Sequence, residues 1–414
     1  MIRRTGLGNN NTYLWAAIIF AVLVFDNFLT TVFVNSLVGT ICNAIFVVVA
    51  TLLLAWKYIV VKRKIVCDSL FIWTMLACLS VLLSCMFNDS NISAAIMKCS
   101  LFAFSLCVCR DYSISDFAKA YKKLLTVILC VTLFLNILFL LGVNLSFLPR
   151  IESTKGVVYY WGFLGNVHAN SNSIVLRIAG IWMEPGVCAA FIIVGMIFAL
   201  FIHEKLDLKY FSLLVVALIL TFSTTGYMCF ILLLIAKLFE RENKSWKQKF
   251  LIVFLLLVAG LLIISNESIN SMIISKIIVR DESFKDRYYS IMGNIIAFSK
   301  NPVLGLGTIK SSEVIKDYMI KNGVTKSFSN LNTPLAYYSV FGIIPGLFFT
   351  LLMIRFPSKL TKVFFSKVFL FLVILTLLSS SNYLFSLLFT ILFYLNNIEN
   401  ESADNQSLST KISK

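Results

Sequence analysis

The sequence predicts an all-α polytopic membrane protein of about 12 transmembrane helices, with both termini cytoplasmic and a large extracytoplasmic loop between helices 9 and 10. Three observations predict it. Hydrophobic residues make up 59% of the 414 and charged residues 14%, where a soluble domain carries roughly a quarter charged. Runs such as Phe250 to Ser265 and Val363 to Leu378 are apolar on every face, which suits lipid and not an amphipathic surface helix. Lys and Arg gather between the apolar runs, in alternate segments. Inside the bilayer, backbone groups must bond within their own segment, which selects helices.

Taken in order, the expected helices are 14–34, 37–56, 69–87, 93–109, 124–148, 186–202, 208–223, 226–239, 250–265, 333–354, 363–379 and 382–396. The first is too long for the apolar core of a signal peptide and is read as part of the mature protein. The pair 208–223 and 226–239 is short for two spans of about 20 residues, so it reads as a tight helical hairpin or one broken helix. Residues 1–396 form a single integral-membrane domain in this reading, with outer loops 149–185 and 266–332. Residues 397–414 are read as a disordered cytoplasmic tail, because they are polar and nearly without apolar anchors.

Orientation follows from the positive residues. With the N-terminus inside, Lys57, Lys62, Arg63 and Lys64, then Arg110, Lys119, Lys122 and Lys123, then Arg241, Lys244 and Lys247 all fall inside. Short outer segments such as Asn88 to Ile92 carry no Lys or Arg. The formal charge of +16 is therefore a topological signal, and no nucleic-acid partner is expected. The long outer segment 266–332 is an exception: it holds Lys276, Arg280, Lys285, Arg287, Lys300 and further lysines.

Four stretches could carry chemistry. The first is Arg177-Ile-Ala-Gly-Ile-Trp-Met-Glu184-Pro185-Gly186, at a membrane boundary where ionisable groups are costly. Pro185 fits the first turn of a helix, whose positive end would face an anion. Glu184 stands where it can take a proton from a sugar hydroxyl; the blander alternative is that Arg177 and Glu184 simply pair. The second is Arg280 with Arg287, on a helix read over 283–299 and ended by Asn301-Pro302. Their planar forks suit a diphosphate, although a helix lying on lipid headgroups has the same pattern. The third is Asn330-Leu-Asn332-Thr-Pro334, able to bond a sugar or to cap the next helix. The fourth, Ser223-Thr-Thr-Gly226, is expected only to turn the chain. His168 reads either as a further substrate contact or as a plain exposed residue of the first outer loop.

Asp26 and Lys98, each inside an apolar run, are expected to pair with one another. The ten cysteines all precede the large loop and read as small buried hydrophobes. No pattern supplies a metal site or a nucleotide fingerprint, so no cofactor is expected and the energy must arrive with the substrate.

Together these stretches resemble the O-antigen polymerase and O-antigen ligase superfamily of bacterial surface-polysaccharide assembly. The resemblance rests on Arg177–Gly180 with Glu184-Pro185, on Arg287 followed by Asn301-Pro-Val-Leu-Gly-Leu-Gly307, and on Asn332 before the turn Gly342–Gly346. It spans roughly residues 150–350. It implies a bacterial cytoplasmic-membrane protein acting on sugar chains linked to undecaprenyl diphosphate, with membrane lipids around it. A chain-length regulator and a flippase of the same pathway are implied partners. The implied reaction is a metal-independent glycosyl transfer that expels the lipid diphosphate. Arg177 and Arg287 would meet the diphosphate, with Arg280 in support. Glu184 would be the base, and Asn330, Asn332 and His168 would touch sugar. Family members often carry His just before the Asn matched to Asn332; Leu331 stands there, and since the ligases depend on that His, polymerase is favoured over ligase. The family's Ser-Arg-Ser/Thr-Gly element appears as Ser223-Thr-Thr-Gly226, without its Arg. A flippase or secondary transporter is the rival from another class. Transporters favour two related halves with midplane ionisable groups, and here the halves are unlike.

Overall fold

The structure is a computed structural model and describes residues 48, 68–88, 92–152, 158–162, 164–168, 177–182, 184–203, 205–240, 281–324 and 331–395. Residue 48 aside, the expected helices 14–34, 37–56 and 250–265, the tail, Asp26, Arg280 and Asn330 lie outside these residues.

Along the described chain run α1 (Ser69–Phe87), α2 (Ile92–Asp111) and α3 (Ile114–Leu140), then β1 (Arg150–Glu152), β2 (Val158–Trp161) and β3 (Asn166–His168). A 3-10 turn (Gly180–Trp182) leads into α4 (Pro185–Phe201), α5 (Leu208–Thr221) and α6 (Thr224–Glu240). Then come α7 (Asp281–Lys300), α8 (Gly307–Lys321), α9 (Thr333–Phe341), α10 (Ile343–Leu360), α11 (Phe364–Leu378) and α12 (Leu387–Tyr394). Among the described residues, α1, α2, α3 and α10 are long and apolar enough to cross a membrane, and α4, α5 and α11 are shorter apolar helices. Large apolar side chains stay exposed on α1 and α3, including Met86, Phe87, Phe134 and Leu140, as lipid-facing surfaces require.

Several boundaries depart from the sequence reading, each for a local reason. Helix α3 starts at Ile114 and not near 124, because Ser113 and Asp116 close a capping box, with side chain and backbone bonded reciprocally. It ends at Leu140, where Gly142 takes φ 79°, so the expected extension to 148 is absent. The single helix expected over 333–354 is two, α9 and α10, broken at Gly342 with φ 86°. Helix α8 was not expected at all, and neither was the sheet. That sheet is antiparallel in the order β1-β2-β3, with Arg150 opposite Tyr160 and Tyr159 opposite His168.

The chain forms two compact units. The first comprises residues up to Thr74, Ile96–Tyr227 and Phe385 onward. Helix α4 is its axis, buried along Val187–Ala199. Around it pack α3, α5 and the 3-10 turn. Trp182 is fully buried and stacks on Phe191, with centroids 4.3 Å apart. Tyr121 of α3 donates to the Phe191 carbonyl at 2.9 Å. Lys98 is fully buried in this unit, its Nζ lying 4.7 Å from the centroid of the Phe102 ring. At the other side of α3, Val167 and Tyr160 of the sheet join Leu135, Phe139 and Leu145 in a small core.

The second unit comprises Met75–Ala95 and Met228–Leu384. In it α7 and α8 form an antiparallel pair resting on α9. Gly293 lets α7 approach the Ile315 backbone of α8, where a Cβ would stand 3.2 Å from the Ile315 Cα. The turn Asn301–Leu306 crosses the turn at Gly342 backbone on backbone: Leu306 N–H donates to Ser339 O at 2.9 Å, and Ile343 N–H to Pro302 O at 2.9 Å. Gly305 and Gly342 both hold positive φ there, and a Cβ on either would strike the facing carbonyl. Helix α1 braces this crossing: Ser84 donates to Val340 O at 3.0 Å and Asn88 to Gly305 O at 3.0 Å.

Candidate functional site

In the first unit, Arg177 lies against the C-terminal end of α5. Its Nε donates to Thr221 O and its Nη2 to Phe222 O, both at 3.2 Å. Helix ends leave carbonyls without partners, and a cation there also meets the negative end of the helix dipole. The chain can turn at that point because Phe222 adopts the left-handed conformation, φ 49°. Ser223 then accepts from Gly226 N–H at 3.2 Å, and Gly226 leaves room for the Ala189 methyl of α4. Ser223-Thr-Thr-Gly226 therefore turns the chain between α5 and α6, as its composition suggested, and the run 208–239 is two helices broken at Phe222. Arg177 is fastened to the two residues just before that turn.

Glu184 is the N-cap of α4, in extended conformation and half-buried, with Pro185 in the first turn and no cap bond from the Glu184 side chain. The helix thus begins where the proline predicted. Tyr159 of β2, only 4% exposed, brings the sheet to the same place. Burial and then the Glu184 carboxylate push its phenol up to about 12, against the opposing pull of Arg177. At neutral pH Tyr159 is thus a hydrogen-bond donor held near a carboxylate and a guanidinium. Nothing in the sequence singled it out. The β-branched and aromatic run Val158–Trp161 is its one legible signal, and a strand of four residues is too short to trust. His168 is placed on β3 opposite Tyr159.

In the second unit, Arg287 is half-buried on α7, above Ser290 and Asn294 on one helical face. Both of these are fully buried. Ser290 Oγ accepts from Leu331 N–H at 3.0 Å, and Asn294 Oδ1 accepts from Ser339 Oγ at 2.6 Å. The face that carries Arg287 is therefore tied to Leu331, just before α9, and to Ser339 within α9. Asn332 caps that helix, its Oδ1 accepting from Leu335 N–H at 3.0 Å, while its Nδ2 reaches Ser379 Oγ at 3.4 Å. Thr333 Oγ1 donates to Ser381 O at 2.9 Å and accepts from Tyr383 N–H at 2.7 Å. Sequence reading had singled out Arg287 and Asn332 but not the serines and Asn294 that join their elements. The polar spacing Arg287, Ser290, Asn294 was visible along 283–299.

The structure thus groups the expected residues as Arg177 with Glu184 in one unit and Arg287 with Asn332 in the other. The described cysteines are free thiols, and among the described residues no group of three His, Cys, Asp or Glu could hold a metal. Around Arg177 and Glu184 the geometry offers a fixed cation, a carboxylate and a phenolic donor.

Residues 210–351 match the family described as O-Antigen ligase. The matched segment begins in α5 and ends in α10, and takes in the crossing of the two glycine turns. No curated protein matches the chain.

Proposed function

We propose, proceeding from the O-antigen ligase-like domain that this multi-pass membrane protein carries at residues 210–351, that the chain polymerises undecaprenyl-diphosphate-linked repeat units. The product is an O-antigen, capsular or exopolysaccharide made at the outer face of the cytoplasmic membrane. The observation that favours polymerase over ligase is Leu331, an apolar residue fixed by its backbone to Ser290, at the position where the resembling ligases keep His.

In this reading an acceptor sugar hydroxyl attacks the anomeric carbon of the donor glycan. Glu184 takes the hydroxyl proton as the new C–O bond forms. The bond from the anomeric carbon to the diphosphate breaks with inversion, and undecaprenyl diphosphate leaves with the electron pair. Guanidinium donors at a departing diphosphate are worth a few kcal/mol each when preorganised, about a hundredfold in rate or more. Arg177 is suited to that role because its grip on two backbone carbonyls fixes its plane before substrate arrives. Arg287, supported by Arg280, is assigned the same chemistry. Both substrates carry polyprenyl tails, so they enter sideways from the lipid.

The test is gel analysis of surface polysaccharide from a deletion strain complemented by wild type, Arg287→Ala or Glu184→Ala. Single repeat units on the usual acceptor support polymerisation. Long chains retained on the lipid carrier turn the assignment to the ligase reading, which the family's own description favours. Repeat units held on the inner leaflet reject the enzyme and support a transporter.

A further inference from the structure

The connection between α4 and α5 is held at a shallow depth. Helix α4 has 17 residues and α5 has 14, about 25 Å and 21 Å at 1.5 Å per residue. Both fall short of the roughly 30 Å hydrocarbon core. The far end of α5 is fixed beside Arg177, because Ile178 N–H donates to Leu220 O at 3.0 Å. The connection, through His203 and Lys205 to Asp207, therefore stops among lipid headgroups and does not stand clear in water. It leads into Lys205-Leu206-Asp207-Leu208-Lys209, and all five residues are exposed. Leu206 is 43% and Leu208 71% exposed. At headgroup depth such leucines are covered by the upper methylenes of acyl chains, while lysines reach out to the phosphates.

A second element brings positive charge to the same level. Lys122 of α3 donates to Asp207 at 2.8 Å and lies 5.2 Å from the centroid of the Tyr210 ring, which fastens α3 to the connection. His203 feels both Lys122 and Lys119. Lys119, Lys123, Lys205 and Lys209 are exposed, and among the described residues none of the four has a carboxylate partner. The acids over 112–123 and 202–210 are Asp116, Glu204 and Asp207. Asp207 is taken by Lys122 and by the N–H groups of Lys209 and Tyr210, and Asp116 is bonded to Ser113 in the cap of α3. A positive-inside signal requires lysines in these segments. It does not require lysines of two elements at one level, nor exposed leucines between them.

We propose that this patch binds an anionic phospholipid, its phosphate among Lys119, Lys123, Lys205 and Lys209 and its acyl chains against Leu206 and Leu208. Free phosphate would meet the ammonium groups but leave the leucines uncovered. The site lies at the ends of α4 and α5 remote from Glu184 and Arg177, and it is independent of the glycosyl-transfer reading. A lipid bound there clamps together the far ends of the two helices that position those residues.

The test uses the full chain in neutral detergent and native mass spectrometry with phosphatidylglycerol, phosphatidylcholine or inorganic phosphate. Wild type is expected to retain phosphatidylglycerol at least about tenfold more tightly than phosphatidylcholine. Lys119→Gln/Lys123→Gln/Lys209→Gln should lose about fivefold per lysine, about a hundredfold together, with phosphatidylcholine unaffected. Lys310→Gln/Lys316→Gln/Lys321→Gln removes as much charge from exposed positions of α8 and should bind as wild type does. Equal retention of both lipids by wild type overturns the site and leaves the lysines as a topological signal. An equal loss in the two triple variants also overturns it, since bulk charge then governs binding. Inorganic phosphate that displaces the lipid at equal concentration makes free phosphate the occupant and overturns the lipid. A photoactivatable phosphatidylglycerol on the wild-type chain decides the case where the first triple variant fails to accumulate. Cross-links at 119–123 and 205–209 support the site, and cross-links confined to other segments overturn it.

Discussion

At the scale of single residues, Arg177 is the side chain whose geometry says most. Two of its donors end a helix, which fixes the plane of its fork. Lysine has the charge but not the planar fork, so Arg177→Lys should separate charge from geometry. Chain formation is expected to fall about a hundredfold, and stability by about 2 kcal/mol from the lost charged hydrogen bonds, read by polysaccharide gel and by thermal unfolding. A variant that unfolds earlier but polymerises normally would reduce Arg177 to a helix cap. His203, in the loop between α4 and α5, supports a second prediction. Burial first, then the nearby charges of Lys122 and Lys119, lower its pKa, with Asp207 opposing. The folded chain therefore binds that proton less readily than the unfolded chain. Stability is complete above the ordinary histidine pKa and is lost as pH falls through that value toward the folded one. Unfolding midpoints should drop on going from about pH 7.5 to about pH 5.5, and His203→Gln should flatten that slope. An unchanged slope would place the acid sensitivity elsewhere.

At the scale of elements, the crossing of the two glycine turns is the most demanding part of the fold. Gly342→Ala adds a Cβ against the Val303 carbonyl in a backbone conformation that L-residues avoid. Strain and overpacking together should cost about 3 kcal/mol or more, enough to stop accumulation in membranes. Gly323 is the control, since it has a similar φ of 79° with nothing within 4 Å of a Cβ. Gly323→Ala should cost only about 1–2 kcal/mol and leave the protein abundant by immunoblot. Equal losses in both would mean that conformation, and not contact, governs the crossing. Element positions were legible where hydropathy changes at the boundary, as for α1 over Ser69–Phe87 and for α5. They were not legible where it does not: the break at Gly342 interrupts a continuous apolar run. The start of α3 was hidden because Lys119, Lys122 and Lys123 dilute its first turns, although the Ser113–Asp116 capping box was in plain sight. The α8 stripe of Ser311, Ile315 and Met319, spaced by four, was also readable but weak in a polar segment.

At the scale of the whole molecule, apolar composition and spacing were enough to identify a helical membrane protein, and α1, α2, α3 and α10 carry that reading. The candidate site was only half legible. Arg177 and Glu184 announce themselves as charges at a membrane boundary, and Arg287 as a cation on an amphipathic helix. Tyr159 depends on a sheet of three short strands, which has no period long enough to detect in one sequence. Sidedness remains the sequence-based proposal, and it can be tested by alkaline phosphatase fusions. A fusion after Lys321 should be active and one after Glu240 inactive, given the positive-inside bias. The reverse pattern would invert the protein and move Arg177 and Glu184 to the cytoplasmic face.

The turn crossing also bears on how such chains can be recombined. Where Asn301–Leu306 meets Ser339–Ile343, main chain touches main chain, and at Gly305 and Gly342 there is no side chain to absorb a mismatch. The two turns are separate in sequence yet behave as a single interlocking part. A chimera that imports one of them from a relative inherits half a joint. Grafts should therefore exchange 301–343 as one cassette, leaving the breakpoints inside the flanking helices α7 and α10, where an ordinary helical register can take up the seam.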